Sequence, residues 1–133
     1  MKYLLDTDTC IYALKQRTAV LERMLSRSRA DVAVSVITEA ELRTGAAKSS
    51  SPVKTMRLVE NFLRPLTVVE FTSDDAASYA DVRAKLERAG TPIGPLDTLI
   101  ASQAVGRKLI LVSNNESEFG RVAALRMENW ARP

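Results

Sequence analysis

Apolar and polar positions alternate along this chain in short blocks. Lys2 to Asp6 carries the continuous apolar run Tyr3-Leu4-Leu5 and reads as a short buried strand. Val32 to Val36, rich in β-branched residues, Leu66 to Phe71 and Leu109 to Val112 also read as strands, and Leu125 to Glu128 as a short fifth. Between them the spacing changes to that of helices. Thr7 to Lys15 predicts a first short helix, and Ala19 to Arg27 places Val20, Leu21, Met24 and Leu25 on one face. Thr38 to Lys48 predicts a helix stopped by Ser49-Ser50-Ser51-Pro52, and Val53 to Phe62 another that ends before Pro65. Ser73 to Arg88 predicts a longer helix, with Ser73 as its cap and Gly90 past its end. Pro95 to Arg107 opens with proline in the first turn.

Strands that alternate with helices predict an α/β fold: a three-layer α/β/α sandwich around a mostly parallel sheet of about five strands. The 133 residues suffice for one domain with a real core, so the whole of 1–133 is expected to form a single domain. No repeat, low-complexity tract or interdomain linker interrupts it. Neither G-x-G-x-x-G nor G-x-x-x-x-G-K-[ST] occurs, which argues against dinucleotide and P-loop sites.

Composition narrows the chemistry. Hydrophobic residues make up 46% of the chain, too many for a disordered protein. There is no histidine, which removes Ser-His-Asp and Cys-His catalysis and histidine zinc sites. The single cysteine, Cys10, cannot form an intrachain disulfide or a thiolate zinc site and reads as a small core residue. Trp130 reads as a packing anchor for the C-terminal strand. No apolar run is long enough to span a membrane, and no secretion signal is visible. A cytoplasmic location, in a reducing compartment, is the expectation. Catalysis, if present, rests on carboxylates, lysine, hydroxyls or a metal held by oxygen.

The net charge of +3 is unevenly spread: Lys15 to Arg29 and Arg43 to Arg64 are each +4, and Glu70 to Asp81 is −4. Basic stretches beside an acidic site suit a nucleic acid, whose backbone the bases hold. Solvated helix faces explain each single run equally well.

Four acids stand at the edges of apolar segments: Asp6, Glu41, Asp97 and Glu118. Asp6 closes the first strand, Glu41 and Glu118 follow the second and fourth, and Asp97 opens the helix before the fourth. Ligands of open α/β sheets bind beyond the carboxyl ends of the strands. Asp97 precedes its strand and reaches that edge only if its helix runs antiparallel to the sheet. Gathered there, the acids repel one another, and a hard divalent cation such as Mg²⁺ or Mn²⁺ is the usual remedy.

Each acid also has a structural reading. Asp6 can cap the next helix, although Asp8 is the more natural cap. Thr38-x-x-Glu41 matches a capping box, and Glu39 would point to another helix face. Asp97 suits the helix dipole, but Leu96, Leu99 and Ile100 make its turn apolar, which makes an unpartnered carboxylate costly there. Glu118 lies in a polar stretch where acids are commonly solvated. Ser113 and Asn115 can bind a metal-bound water.

Taken together, four segments resemble the PIN-domain ribonucleases, and among them the VapC-type toxins. They are Leu4-Leu5-Asp6-Thr7-Asp8-Thr9-Cys10-Ile11-Tyr12, Ser35-Val36-Ile37-Thr38-Glu39-Ala40-Glu41-Leu42-Arg43-Thr44-Gly45-Ala46, Pro92-Ile93-Gly94-Pro95-Leu96-Asp97-Thr98-Leu99-Ile100-Ala101 and Leu111-Val112-Ser113-Asn114-Asn115 through Glu118-Phe119-Gly120-Arg121-Val122. The resemblance spans nearly the whole chain. It implies that Asp6, Glu41 and Asp97 surround Mg²⁺ or Mn²⁺. Many relatives carry aspartate where this chain has Asn115, which has no charge, so the fourth role passes to Glu118. Asp8 replaces a common asparagine and either tightens metal binding or caps the helix.

The resemblance further implies a metal-dependent endoribonuclease, the toxin of a toxin–antitoxin pair. Its partners would be a VapB-type antitoxin and an RNA, with a tRNA anticodon loop, that of the initiator tRNA, as the target suggested by Asn114-Asn115-x-x-Glu118-Phe119. A homodimer or a toxin–antitoxin hetero-oligomer would follow. Two other classes compete. A receiver-type signalling domain lacks its phosphoacceptor aspartate at the end of strand three, where Val68-Val69-Glu70-Phe71-Thr72 stands. A non-catalytic PIN-fold module that binds RNA or protein is the alternative.

Overall fold

A computed structural model describes residues 1–132; Pro133, the last residue of the expected single domain, lies outside the described residues. The chain folds as β1 (Tyr3–Leu5), α1 (Thr7–Leu14), α2 (Thr18–Leu25), β2 (Val32–Ser35), α3 (Val36–Ala47), α4 (Pro52–Leu63), β3 (Thr67–Val69), α5 (Ser73–Arg88), α6 (Pro95–Arg107), β4 (Ile110–Val112), α7 (Glu116–Phe119) and β5 (Arg126–Glu128). A 3-10 turn, Arg29–Asp31, leads into β2.

The sheet has five strands in the order β3-β2-β1-β4-β5, and every pairing is parallel, where a mostly parallel sheet was expected. Leu4 sits at the centre, opposite Ala33 on one side and Leu111 on the other. Alternation along β1 divides the core. Tyr3 and Leu5 join Val32, Val34 and Val112 under α1 to α4, packed on Val20, Leu42, Val59 and Leu63. Leu4, Ala33 and Leu111 face the other way, onto Val82, Leu86, Ile100, Ala101 and Ala104 of α5 and α6. Both faces are covered, which is why β1, β2 and β4 read as apolar runs rather than as alternating ones.

Trp130 is buried and meets the Tyr3 ring edge-on at 5.2 Å, with the Arg27 guanidinium 4.6 Å from its centre. The C-terminal tail is thereby anchored to β1. Three expected boundaries shift. α3 begins at Val36, directly after β2, because Ser35 caps it by accepting from the Ile37 N–H at 3.0 Å. β-Branched Val36 read as the end of the strand, but packing overrides that preference. α5 is capped by Thr72 rather than by Ser73, through a capping box with Asp75. α7 lies in a stretch that reads as polar loop, held by buried Phe119.

The strand order reverses at β1. The chain builds outward through β2 and β3, then returns to place β4 on the other side. The crevice between the carboxyl ends of β1 and β4 is the place where such sheets bind ligands.

Candidate active site

β1 runs into Asp6 and β4 into Ser113, so the switch point brings these residues together. The Asp6 N–H donates to the Val112 carbonyl at 3.0 Å. Asp6 is only 3% exposed. It caps α1, with Oδ1 accepting from the Thr9 N–H at 2.8 Å, while Oδ2 accepts from the Ser113 hydroxyl at 2.6 Å. Capping therefore falls to Asp6, and Asp8 stands exposed in the first turn, contrary to the sequence expectation. The two assignments do not conflict with ligand binding, because each carboxylate oxygen keeps a second lone pair. Burial raises the Asp6 carboxyl above its usual range, against the lowering effect of the Ser113 and Thr9 bonds. Ser113 itself is fully buried and accepts from the Asn115 N–H at 2.9 Å. Its one proton goes to Asp6, so Ser113 orients that carboxylate.

Glu41 lies in the second turn of α3, since the helix starts earlier than Thr38. Thr38 is buried inside the first turn and caps nothing, so the capping-box reading of Glu41 fails. Instead Glu41 Oε1 accepts from the Thr7 hydroxyl at 2.7 Å, across from α1. The Thr7 and Thr38 hydroxyls are 3.1 Å apart. Glu39 points elsewhere, to Arg43 at 2.8 Å.

Asp97 is the third residue of α6, whose cap, Gly94, has no side chain to satisfy the helix end. A Cβ at Gly94 would stand in ordinary van der Waals contact with Asp97 Oδ2, at 3.5 Å. Burial, then the negative charges of Glu118, Asp6, Glu41 and Asp8, push the Asp97 carboxyl up to about 6. Asp97 therefore lies within electrostatic reach of the other three acids singled out in the sequence. Glu118 reaches the group from α7, where buried Phe119 pins the helix and the Asn115 amide donates to Glu118 Oε2 at 2.6 Å. Asn115 thus supports Glu118 by a direct hydrogen bond.

Among the described residues, no three acidic or thiol side chains are already drawn in to the spacing of ligands on one cation. The donor set nonetheless fits a hard divalent cation. It is oxygen only and rich in charge, and burial followed by the neighbouring negative charges pushes the Asp97 carboxyl up. Zinc has no thiolate or imidazole partner here. Cys10 is fully buried, and burial with the Asp6 charge pushes its thiol well up, which leaves it an inert core residue.

Sequence reasoning missed Thr7, Thr9 and Thr38 as partners of the acids. Threonine in a motif gives no signal of which hydroxyl crosses to another element. The position of Thr7 directly after a strand-end acid was the one available hint.

Residues 3–125 match the PIN domain family. The tRNA(fMet)-specific endonuclease VapC of Salmonella typhimurium is 37% identical over 130 residues, covering 98% of both chains. Ribonuclease VapC2 of Haemophilus influenzae is 42% identical over 130 residues, again with 98% of both covered. In three dimensions the chain matches the crystal structure of DNA-bound VapBC from Salmonella typhimurium at a TM-score of 0.93 and 38% identity, over 98% of each chain. VapBC2 from Rickettsia felis, bound to a DNA fragment from its promoter, gives 0.90 at 34% identity, over 98% of this chain and 99% of that one. The chain belongs to the PIN-domain family, in its VapC ribonuclease branch.

Proposed function

We propose that this protein is an endoribonuclease dependent on Mg²⁺ or Mn²⁺, and that it is the toxin of a toxin–antitoxin pair. The observation that carries the reading is Asp97, pushed up to about 6 by burial and the surrounding carboxylates. An ordinary fold has no reason to collect uncompensated acids at the carboxyl edge of its sheet, and a metal nuclease does. Asp6 and Asp97 would be the principal ligands, Glu41 a ligand or the group that orients water, and Glu118 a support for the second position or its water shell. Bound there, Mg²⁺ or Mn²⁺ supplies polarisation of the scissile phosphate and a lowered pKa for the attacking water.

The chain's own residues prepare that chemistry. Ser113 and Thr9 lock the Asp6 carboxylate in place. The Asn115 amide fixes Glu118. Among the described residues Asp97 has no side-chain hydrogen-bond donor, which leaves its carboxylate oxygens available to a cation. The leaving oxygen has no protonating lysine or histidine among these residues, so solvent supplies that proton.

RNA binding draws on the basic stretches only in part. Arg23 donates to the Asn129 carbonyl, Arg27 pairs with Glu128 against the Trp130 ring, and Arg43 pairs with Glu39 and Glu60. Lys15, Arg17, Arg29, Lys48, Lys54, Arg57 and Arg64 remain as the better candidates for phosphate contacts. The VapC relatives of Salmonella typhimurium and Shigella flexneri are named tRNA(fMet)-specific endonucleases, and the substrate proposed for this chain is likewise the initiator tRNA, at its anticodon loop, whose bases are unstacked. A VapB-type antitoxin is the expected partner. Val53 and Leu58 on α4 stand 70% and 53% exposed beside Lys54 and Arg57, a surface suited to an acidic amphipathic segment.

The decisive experiment is cleavage of total RNA by purified protein, with ends mapped. Activity lost in EDTA and restored by Mg²⁺ or Mn²⁺, with one dominant cut in one tRNA, is the expected result. Full activity after exhaustive chelation would remove the metal from the reading; cuts spread over messenger RNA would remove the tRNA. Growth arrest relieved by co-expressing the neighbouring small reading frame tests the toxin role.

A further inference from the structure

We propose that Thr7 is a positioning residue: it fixes the orientation of Glu41, and a hydroxyl relay from Thr38 strengthens its hold. This inference rests on the cation-dependent reading of the site. Thr7 is the first residue of α1, and that helix needs nothing from its hydroxyl, because Asp6 already serves as the cap. The hydroxyl instead reaches 34 residues along the sequence to Glu41 Oε1, at 2.7 Å.

A hydroxyl has one proton, and Thr7 has two oxygens within reach, Glu41 Oε1 at 2.7 Å and Thr38 Oγ1 at 3.1 Å. The carboxylate oxygen is the nearer and the stronger acceptor, so it takes the proton. Thr38 is fully buried at the start of α3, and its hydroxyl then turns to donate to Thr7. Thr38, Thr7 and Glu41 form a chain in which each donor polarises the next.

The chain answers a problem particular to this site. Glu41 has a long, half-buried side chain, and its negative charge acts on Asp97. Repulsion favours rotamers that swing it outward. A donor on one oxygen holds it against that repulsion, and the other oxygen, Oε2, has no protein donor among the described residues and is the one left for a cation or its water. Ser113 does the same for Asp6 and Asn115 for Glu118, so Thr7 completes a set in which three of the acids are each held by a neutral donor.

The test is Mn²⁺ affinity, measured by electron paramagnetic resonance and calorimetry on wild type, Thr7→Val, Thr7→Ala and Thr7→Ser. Valine keeps the shape and removes the proton; alanine cannot clash and suits the first turn of a helix, so one of the two will fold. Either should weaken Mn²⁺ binding by about 10-fold, with kcat falling and the KM for RNA unmoved, while serine restores affinity to within about 2-fold. Thr38→Val, which removes only the relay, should cost about 2-fold to 3-fold. Wild-type affinity in Thr7→Val or Thr7→Ala overturns the inference, and so does a serine variant as weak as valine. If wild type binds no Mn²⁺ at all, the cation reading itself falls and takes Thr7 with it. If Asp97→Asn abolishes binding while the Thr7 variants match wild type, only the role of Thr7 falls.

Discussion

Asp75 and Asp97 occupy the same place in consecutive helices. Each is the third residue, of α5 and α6 respectively, and each follows its helix cap at the spacing of a capping box. Their environments are opposite. Asp75 is 2% exposed and bonded on every side: by the Thr72 N–H at 2.8 Å and by Arg107 through Nε at 3.0 Å and Nη2 at 2.9 Å. The Arg107 guanidinium holds its carboxyl down at about 2. Asp97 has glycine as its cap and other acids as neighbours, and its carboxyl is pushed up to about 6. Asp75 is a clasp, tying α5 to the last residue of α6 and, through Arg107 and Gln103, to the Glu70 carbonyl after β3. Asp97 is crowded by burial and other acids and has no cationic partner among the described residues. The same residue at the same helix position is held down or pushed up according to what faces it across the fold.

Exchanging the neutralising partner breaks the comparison most sharply. Asp97→Asn keeps the shape and removes the charge, and should lower kcat/KM for RNA cleavage by at least ~10³-fold, a loss of ~4 kcal/mol in transition-state stabilisation. Glu41→Gln should also lose most activity, since its capping role is absent. Gel-based cleavage at equal folded concentration measures both; wild-type cleavage by Asp97→Asn would place the chemistry elsewhere.

The clasp should fail in the opposite manner. Arg107→Met leaves the buried Asp75 carboxylate without its cation and should cost about 2–3 kcal/mol of stability, less than a fully buried pair because Arg107 is 29% exposed. Cleavage per folded molecule should change little. Because Asp75 is lowered from 3.8 to about 2, its contribution is present above the usual carboxylate range and is lost as pH falls between these values. Urea melts of wild type and variant should therefore converge toward pH 2.

Asp97 predicts the reverse pH slope. Its folded pKa is raised from 3.8 to about 6, so between these values the folded state binds the proton more tightly and stability falls as pH rises. In EDTA, Asp97→Asn should melt about 2–4 °C higher than wild type at pH 7, a figure discounted for partial exposure, and the gain should vanish near pH 4. Thermal scans at the two pH values check it. A variant less stable than wild type at pH 7 would mean that the Asp97 charge is compensated by the protein.

The two aspartates also mark what a sequence reveals. The sheet, the helices and the candidate acids were readable because apolar runs end at Asp6, before Glu41 and before Glu118, and strand ends share one edge. The partner of Asp75 was not. Arg107 lies 32 residues away, and Asp75 sits in a stretch that reads as four bare negative charges from Glu70 to Asp81. Thr38-x-x-Glu41 shows the converse failure, a local pattern of the right spacing that the helix does not use, because buried Ser35 starts it earlier. Local pattern locates a carboxylate well and says little about what faces it across the fold.

The smallest effect should come from Asp8, which separates charge from geometry. It stands exposed in the first turn of α1, makes no cap, and acts on both Asp6 and Asp97 only through its negative charge. Neutralising it in Asp8→Asn leaves every described hydrogen bond of the site intact. Charges at such an exposed position interact by less than about 1 kcal/mol and are screened within ~10 Å at 0.1 M salt. Mn²⁺ affinity should therefore drop by about 2-fold to 5-fold at low salt, and the difference from wild type should close as sodium chloride is raised toward 0.5 M. The Arg107 clasp, with its buried Asp75, should show no such salt sensitivity in its melt. A loss in Asp8→Asn as large as in Asp97→Asn, and undiminished by salt, would make Asp8 a direct ligand and enlarge the set of acids that the site uses.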